Sequence, residues 1–320
     1  MFGLRHPVMS APMALHSGGT LAAAVSAAGG LGSFGGFQPW LGPPFIEEQV
    51  AVLRKETDAP FGIGFITPFL PSTMPLFEAA VAARPAVIAL SFSDPGPYVG
   101  PAKATGAAVM CQVQTMRAAD EAVEAGADVL VVQGTEAGGH TGEMSLLPFL
   151  AAAVARHPGL PVLAAGGIGD GRTLAAALLA GADGAWMGTA FLATPEAVEV
   201  HDVHKNMVVA SDGGDTVWTR SYDIVQGFPW PEGIGERVHR NSFTEQWTGR
   251  EQELTARREE FAPADGENPF AAVPEPDRDS VLYGQSAAFV PRVRPAAEVL
   301  ETVTAAAEEI LRSRPAALLG

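Results

Sequence analysis

Residues Gln133 to Gly142, reading Gln-Gly-Thr-Glu-Ala-Gly-Gly-His-Thr-Gly, set one histidine in a glycine-rich turn directly after the apolar run Val129 to Val132. An imidazole titrates close enough to neutral pH to act as acid or base. The glycines around His140 leave little bulk to bury it, so His140 is the candidate catalytic residue. Two further segments follow, Pro161-Val162-Leu163-Ala164-Ala165-Gly166-Gly167-Ile168 and Gly184-Ala185-Trp186-Met187-Gly188-Thr189. Glycine lets the backbone approach a phosphate, and free N–H groups at a helix start can donate to it. Gly166, Gly167, Gly188 and Thr189 therefore read as a two-part phosphate cradle beside a titratable group. Gly167-Ile168-Gly169-Asp170-Gly171 lacks the G-x-G-x-x-G spacing and stands late in a repeating pattern, which argues against a dinucleotide fingerprint.

Groups so spaced need elements to converge them. Short apolar segments recur at 7–11, 30–34, 60–66, 86–92, 107–113, 128–133, 161–166 and 184–188, and each reads as a strand. Between them, helices are expected over 19–28, 44–55, 72–83, 116–125, 145–156 and 171–180, several closed by a glycine such as Gly29, Gly126 or Gly181. Eight strands alternating with helices fit an α/β fold of the (β/α)8 TIM-barrel type. The proline- and glycine-rich connection from Ser93 to Gly106 leaves room only for a short or distorted helix. In such a barrel catalytic groups sit at the C-terminal strand ends, and phosphate commonly binds after strands seven and eight. The two glycine segments occupy those places.

After Thr194 the pattern changes, with aromatic, charged and proline residues mixed from Trp218 to Trp247 and an acidic, proline-rich stretch from Glu259 to Asp279. The expected organisation is a barrel over 1–200, a small lid or second domain over 201–280, and a C-terminal segment, 281–320, returning to the barrel through a helix at 295–312. Trp218, Trp230 and Trp247 could line an aromatic substrate mouth or pack the small domain.

The chain has 320 residues, 47% of them hydrophobic, and a formal net charge of -16, which opposes nonspecific nucleic-acid binding. No apolar run reaches the roughly 18 residues of a membrane span, and the first residues lack a secretory apolar stretch, so a cytoplasmic location is expected. The single cysteine, Cys111, reads as a core thiol in a strand. His201 and His204 lie three apart on a possible helix, but with no third ligand they read as a solvated face, and no metal is expected.

The chain closely resembles the nitronate monooxygenase family, formerly called 2-nitropropane dioxygenases. The likeness runs through Ala11-Pro12-Met13-Ala14, Leu21 to Gly32, Glu136 to His140, Ala165-Gly166-Gly167-Ile168, Met187 to Leu192, Asp215 to Arg220, Gly249-Arg250-Glu251 and Tyr283-Gly284-Gln285. The resemblance implies FMN as cofactor. Pro12, Met13 and Ala14 would border the flavin, and Gln112 and Gln133 would approach its ring or ribityl chain. Gly138, Gly139 and Ala165 would add to the lining, and Gly166, Gly167, Gly188 and Thr189 would hold the phosphate. His140 would take the α-proton of a nitroalkane or orient a nitronate, which is then oxidised by FMN with O2. One departure is Gly64, which stands where many relatives carry asparagine.

The expected partners are thus a nitronate or nitroalkane and O2, with a homodimer as the expected assembly. A rival within the same superfamily is an NAD(P)H-dependent FMN quinone or enoyl-thioester reductase. A second is a non-catalytic flavin or phosphate binder.

Overall fold

The period-two apolar runs form strands β1 (Val8–Ser10), β2 (Gly32–Gly35), β3 (Phe61–Ile66), β4 (Val87–Ser91), β5 (Ala108–Val113), β6 (Val129–Gln133), β7 (Gly139–Thr141), β8 (Val162–Ala165), β9 (Gly184–Met187), β10 (Thr216–Thr219) and β11 (Gly235–His239). The computed structural model describes residues 2–263, 268, 270 and 272–319. Part of the acidic stretch expected over 259–279, namely 264–267, 269 and 271, lies outside the described residues.

Eight strands form one sheet in the order β1-β9-β8-β6-β5-β4-β3-β2, and every pairing is parallel. The sheet curls back on itself. Ser10 N–H donates to Leu31 O at 3.0 Å and Leu31 N–H to Val8 O at 3.0 Å, so the two outer strands meet and the barrel closes. This is the expected TIM barrel, with each barrel strand within about two residues of its reading from sequence.

Alternation along each strand sorts its side chains. In β5, Val109, Cys111 and Val113 face the layer of helices, whereas Met110 joins Met9, Val87, Val131 and Trp186 inside the barrel. Burial pushes the Cys111 thiol up to about 12, which suits an inert core residue.

The helices are α1 (Gly19–Ala27), α2 (Pro43–Glu56), α3 (Leu70–Ala82), α4 (Gly96–Lys103), α5 (Met116–Glu124), α6 (Leu146–Arg156), α7 (Gly171–Leu179), α8 (Thr189–Leu192), α9 (Asp202–Ala210), α10 (Ser221–Gln226), α11 (Ser242–Trp247), α12 (Glu251–Ala256) and α13 (Ala296–Leu319). α4 is the short helix expected in the fourth connection, and it carries Pro101 inside. α7 starts on a capping box in which the Asp170 side chain accepts from Thr173 N–H at 2.9 Å. α13 packs on α7 and α1 and returns the chain to the barrel wall.

Beyond residue 200, β10 and β11 form an antiparallel sheet whose third strand is β7, a piece of the barrel's own β6–α6 connection. The small sheet is thus built from both sides of residue 200. α9 overturns one expectation. His204 is buried rather than solvated, with Nε2 donating to Leu282 O at 2.8 Å and its ring edge-on to His16 at 5.3 Å. α9 packs against α8 and the 285–289 turn, which closes that helix face to water.

Candidate active site

The inward-facing residues at the C-terminal ends of the barrel strands open onto one cavity. Its interior admits water-molecule centres through about 180 Å³, far beyond the ~10–15 Å³ that holds one water. Every residue read from the sequence as catalytic or cofactor-binding lines it. Pro12, Met13 and Ala14 enter after β1, Gln112 from β5 and Gln133 from the last position of β6. Gly138, Gly139 and His140 come from the β6–α6 connection, Ala165, Gly166 and Gly167 from the end of β8, and Gly188 and Thr189 from the end of β9.

Gly166 and Gly167 hold φ of +103° and +68°, a left-handed pair that side-chain-bearing residues adopt at a cost. The resulting turn leaves the N–H groups of Gly167 and Ile168 without a protein acceptor among the described residues. Thr189 Oγ1 accepts the Gly284 N–H at 2.9 Å, so its own hydroxyl proton remains available to donate. Gly138 has a different reason for its type. A Cβ there would lie 2.7 Å from Tyr283 Cα, so the C-terminal segment presses directly on that backbone.

His140 sits in a strand rather than the open turn expected from its glycines. β7 pairs with β11, which places His140 opposite Glu236 and buries most of the imidazole. Its Nε2 lies 2.8 Å from Oδ1 of Asp223, a buried carboxylate on α10. The ring stacks on Trp230 with centroids 3.5 Å apart and planes 14° from parallel, and Phe92 meets it edge-on at 6.4 Å. His140 Nδ1 has no protein partner among the described residues and is not sealed from solvent, so it is the ring nitrogen open to the cavity. Gln133 Nε2 donates to His140 O at 2.9 Å and Gln133 Oε1 accepts from Gln114 Nε2 at 2.9 Å. The Gln133 amide is therefore largely committed to holding the histidine backbone.

Burial and the nearby Asp223 carboxylate push the Glu236 carboxyl well above the usual range, opposed by Ser280 Oγ, which donates to Oε2 at 3.0 Å.

The sequence reading missed Asp223, Glu236, Gln114, Phe92 and His16. Of the three tryptophans only Trp230 lines the cavity, Trp218 donates to Thr141 O at 3.2 Å, and Trp247 is core for Val225 and Leu254. His16 lines the cavity with Nδ1 3.0 Å from Ala14 O, and burial holds its pKa below the ordinary value. Gly64 lies under Pro12, whose Cβ would be 2.6 Å from an added Cβ.

No helix among the described residues is long and apolar enough to cross a membrane. The chain is 38% identical over 274 residues to nitronate monooxygenase npaC of Metarhizium robertsii, covering 72% of this chain and 71% of that protein. It is 34% identical over 232 residues to (3aS,4S,5R,7aS)-5-hydroxy-7a-methyl-1-oxo-octahydro-1H-indene-4-carboxyl-CoA dehydrogenase of Mycobacterium tuberculosis, covering 72% of this chain and 63% of that protein. Among solved structures, FabK from Thermotoga maritima superposes with a TM-score of 0.86 at 31% identity, covering 99% of this chain and 97% of that one. The profile of the family described as nitronate monooxygenase matches residues 1–81 and 76–305. Together with a cavity that brings a histidine to the strand ends of a TIM barrel, these matches mean that the chain is an enzyme, an oxidoreductase belonging to the nitronate monooxygenase family.

Proposed function

We propose that this enzyme is an FMN-dependent oxidase of alkyl nitronates and nitroalkanes that uses O2, with His140 as the base. The observation that carries this reading is that His140 Nδ1 opens on the same cavity as the 166–167 and 188–189 turns. The donor set there suits a phosphate monoester: unpaired amides of Gly167 and Ile168, with the Thr189 hydroxyl free to donate. Gly166, Gly167, Gly188 and Thr189 would hold the phosphate. Pro12, Met13, Ala14, Gln112, Gln133, Gly138, Gly139 and Ala165 would line the ribityl chain and ring. When bound, FMN supplies the two-electron oxidation of the nitronate and passes the electrons on to O2.

The chain's own residues handle the proton. His140 Nδ1 removes the α-proton of a neutral nitroalkane, which generates the nitronate that is oxidised to a carbonyl compound and a nitrite-type product. Asp223 at Nε2 stabilises the imidazolium so formed. For a substrate that arrives ionised, the same imidazole orients the anion. Trp230 covers one face of the ring and Phe92 meets it edge-on, which keeps water from those two sides.

The test is to purify the protein, record its visible spectrum and follow O2 consumption with ethyl nitronate and nitroethane. A yellow FMN protein that consumes O2 with the nitronate supports the reading. Protein that refuses FMN, or FMN protein inert to nitronates, overturns it.

A second reading is favoured by the 34% identity to the indene-carboxyl-CoA dehydrogenase of Mycobacterium tuberculosis. In it, the same cavity serves an NAD(P)H-dependent FMN reductase acting on a quinone or enoyl thioester. Anaerobic mixing separates the two: bleaching of the flavin by NADH or NADPH favours the reductase, and bleaching by a nitronate alone favours the oxidase.

A further inference from the structure

Behind His140 two carboxyl groups each present one unsatisfied oxygen. Asp223 accepts from the imidazole through Oδ1, and its Oδ2 is buried without a partner. Glu236 accepts from Ser280 through Oε2, and its Oε1 is also buried without a partner. Both side chains converge on one imidazole. Asp223 bonds it, and Glu236 stands directly across the antiparallel pair from it, so that the Glu236 and His140 side chains share a face.

A buried acceptor left unpaired is costly, and more so when charged. Two buried carboxylates facing one imidazole would destabilise each other, and one retained proton removes the repulsion. We propose that Asp223 and Glu236 share a single proton, Glu236 donating to Asp223, and that this pair is the positioning device that fixes His140 with Nε2–H on Asp223 and Nδ1 bare toward the cavity. The upward shift of the Glu236 carboxyl by burial and by Asp223 agrees with this.

The arrangement selects one tautomer. With Asp223 able only to accept, the neutral imidazole places its proton on Nε2, and the lone pair needed for proton abstraction is on Nδ1. Glu236 acts through Asp223 by keeping that carboxylate aligned, and it makes no contact with substrate.

The proposal rests on the proposed role of His140 as base, and its first readout is independent of turnover. In holoenzyme labelled with ¹⁵N-histidine, with the His140 signals assigned by their loss in His140→Gln, the expected result is a protonated Nε2 and an unprotonated Nδ1 in the neutral ring. Asp223→Asn, whose amide donates to Nε2, should shift the proton to Nδ1. In the same variant kcat for a neutral nitroalkane should fall by about 10³–10⁴-fold, as expected for a wrong tautomer, with flavin affinity retained and turnover of the matching preformed nitronate falling less than tenfold. Glu236→Gln, which can still donate to Asp223, should cost less than tenfold. Glu236→Leu, of similar volume but unable to donate, should cost on the order of 10²-fold in kcat with little change in KM.

A wild-type ring protonated on Nδ1, or folded Glu236→Gln holoenzyme as impaired as Glu236→Leu, would overturn the shared proton and the positioning role. If the enzyme oxidises no nitronate yet shows the Nε2–H tautomer and its inversion in Asp223→Asn, the oxidase reading fails while the positioning device stands.

Discussion

The imidazole of His140 lies flat against the indole of Trp230, 3.5 Å between ring centroids, although ninety residues of chain separate them. The indole is buried and lines the cavity, so it fixes one face of the histidine and forms part of the wall beside it. Trp230→Ala should free the ring to rotate and admit water. The expected outcome is a loss of about two- to tenfold in kcat/KM for nitroalkanes, with FMN still bound, because ring stacking of this kind is worth ~0.5–1.5 kcal/mol beyond area burial. Steady-state kinetics alongside the flavin absorbance spectrum check it, and Trp230→Phe should recover most of the loss.

Removing the base should divide substrates by their ionisation. His140→Ala is expected to lower kcat for nitroethane by about 10²–10⁴-fold, and to lower it much less for ethyl nitronate, whose proton is already gone. Parallel assays of the two substrates with the FMN content measured decide this, and equal losses on both would remove His140 from the proton-transfer role.

Gly64 can be probed by introducing asparagine. An added Cβ meets the Pro12 ring, so Gly64→Asn forces Pro12 away from its place at the cavity wall. Overpacking of this kind costs about 1–3 kcal/mol. Weaker FMN binding and a lowered Tm, read by FMN titration and thermal unfolding, are expected, and Pro12→Ala in the same chain should relieve part of both.

The buried His204 makes a prediction about acid stability. Burial, with His16 close by, lowers its pKa to about 3, against the Leu282 carbonyl bond, which acts in the opposite direction. The unfolded chain therefore binds a proton that the folded chain refuses between about pH 6.5 and pH 3. His204 adds stability that is fully present above about pH 6.5 and is lost as the pH falls toward 3, with a limiting slope near ~1.4 kcal/mol per pH unit. Glu236 and Glu199, whose pKa values burial raises, contribute in the opposite sense, so the comparison must be differential. Urea unfolding of wild type and His204→Gln at pH 7 and pH 5 should show the smaller acid loss in the variant.

Much of the barrel is legible in the sequence because its strands are local and periodic. In β5 and β6 the alternation that buries Val109, Cys111, Leu130 and Val132 on the outside turns Gln112 and Gln133 inward without further information. The same holds for Gly166 and Gly167, whose type is dictated by their own backbone. What surrounds His140 is different. Asp223 and Glu236 reach it from α10 and β11, elements of six and five residues, and Trp230 from the connection between them, all in a segment of mixed composition where nothing local points back to residue 140. The glycines beside His140 misled for a related reason. Gly138 accommodates the close approach of Tyr283 and Gly284, so a residue that looks exposed in one dimension is enclosed by segments distant in the chain.

Because β7 is held on its outer edge by β11, the histidine belongs mechanically to two territories at once. Grafting the 201–280 segment from a relative would therefore transplant more than a specificity loop: it would also replace the hydrogen-bonded rail on which the reactive ring rides. Diversification within such a scaffold is constrained to changes that leave this rail in register, even where the rest of the cap is free to drift.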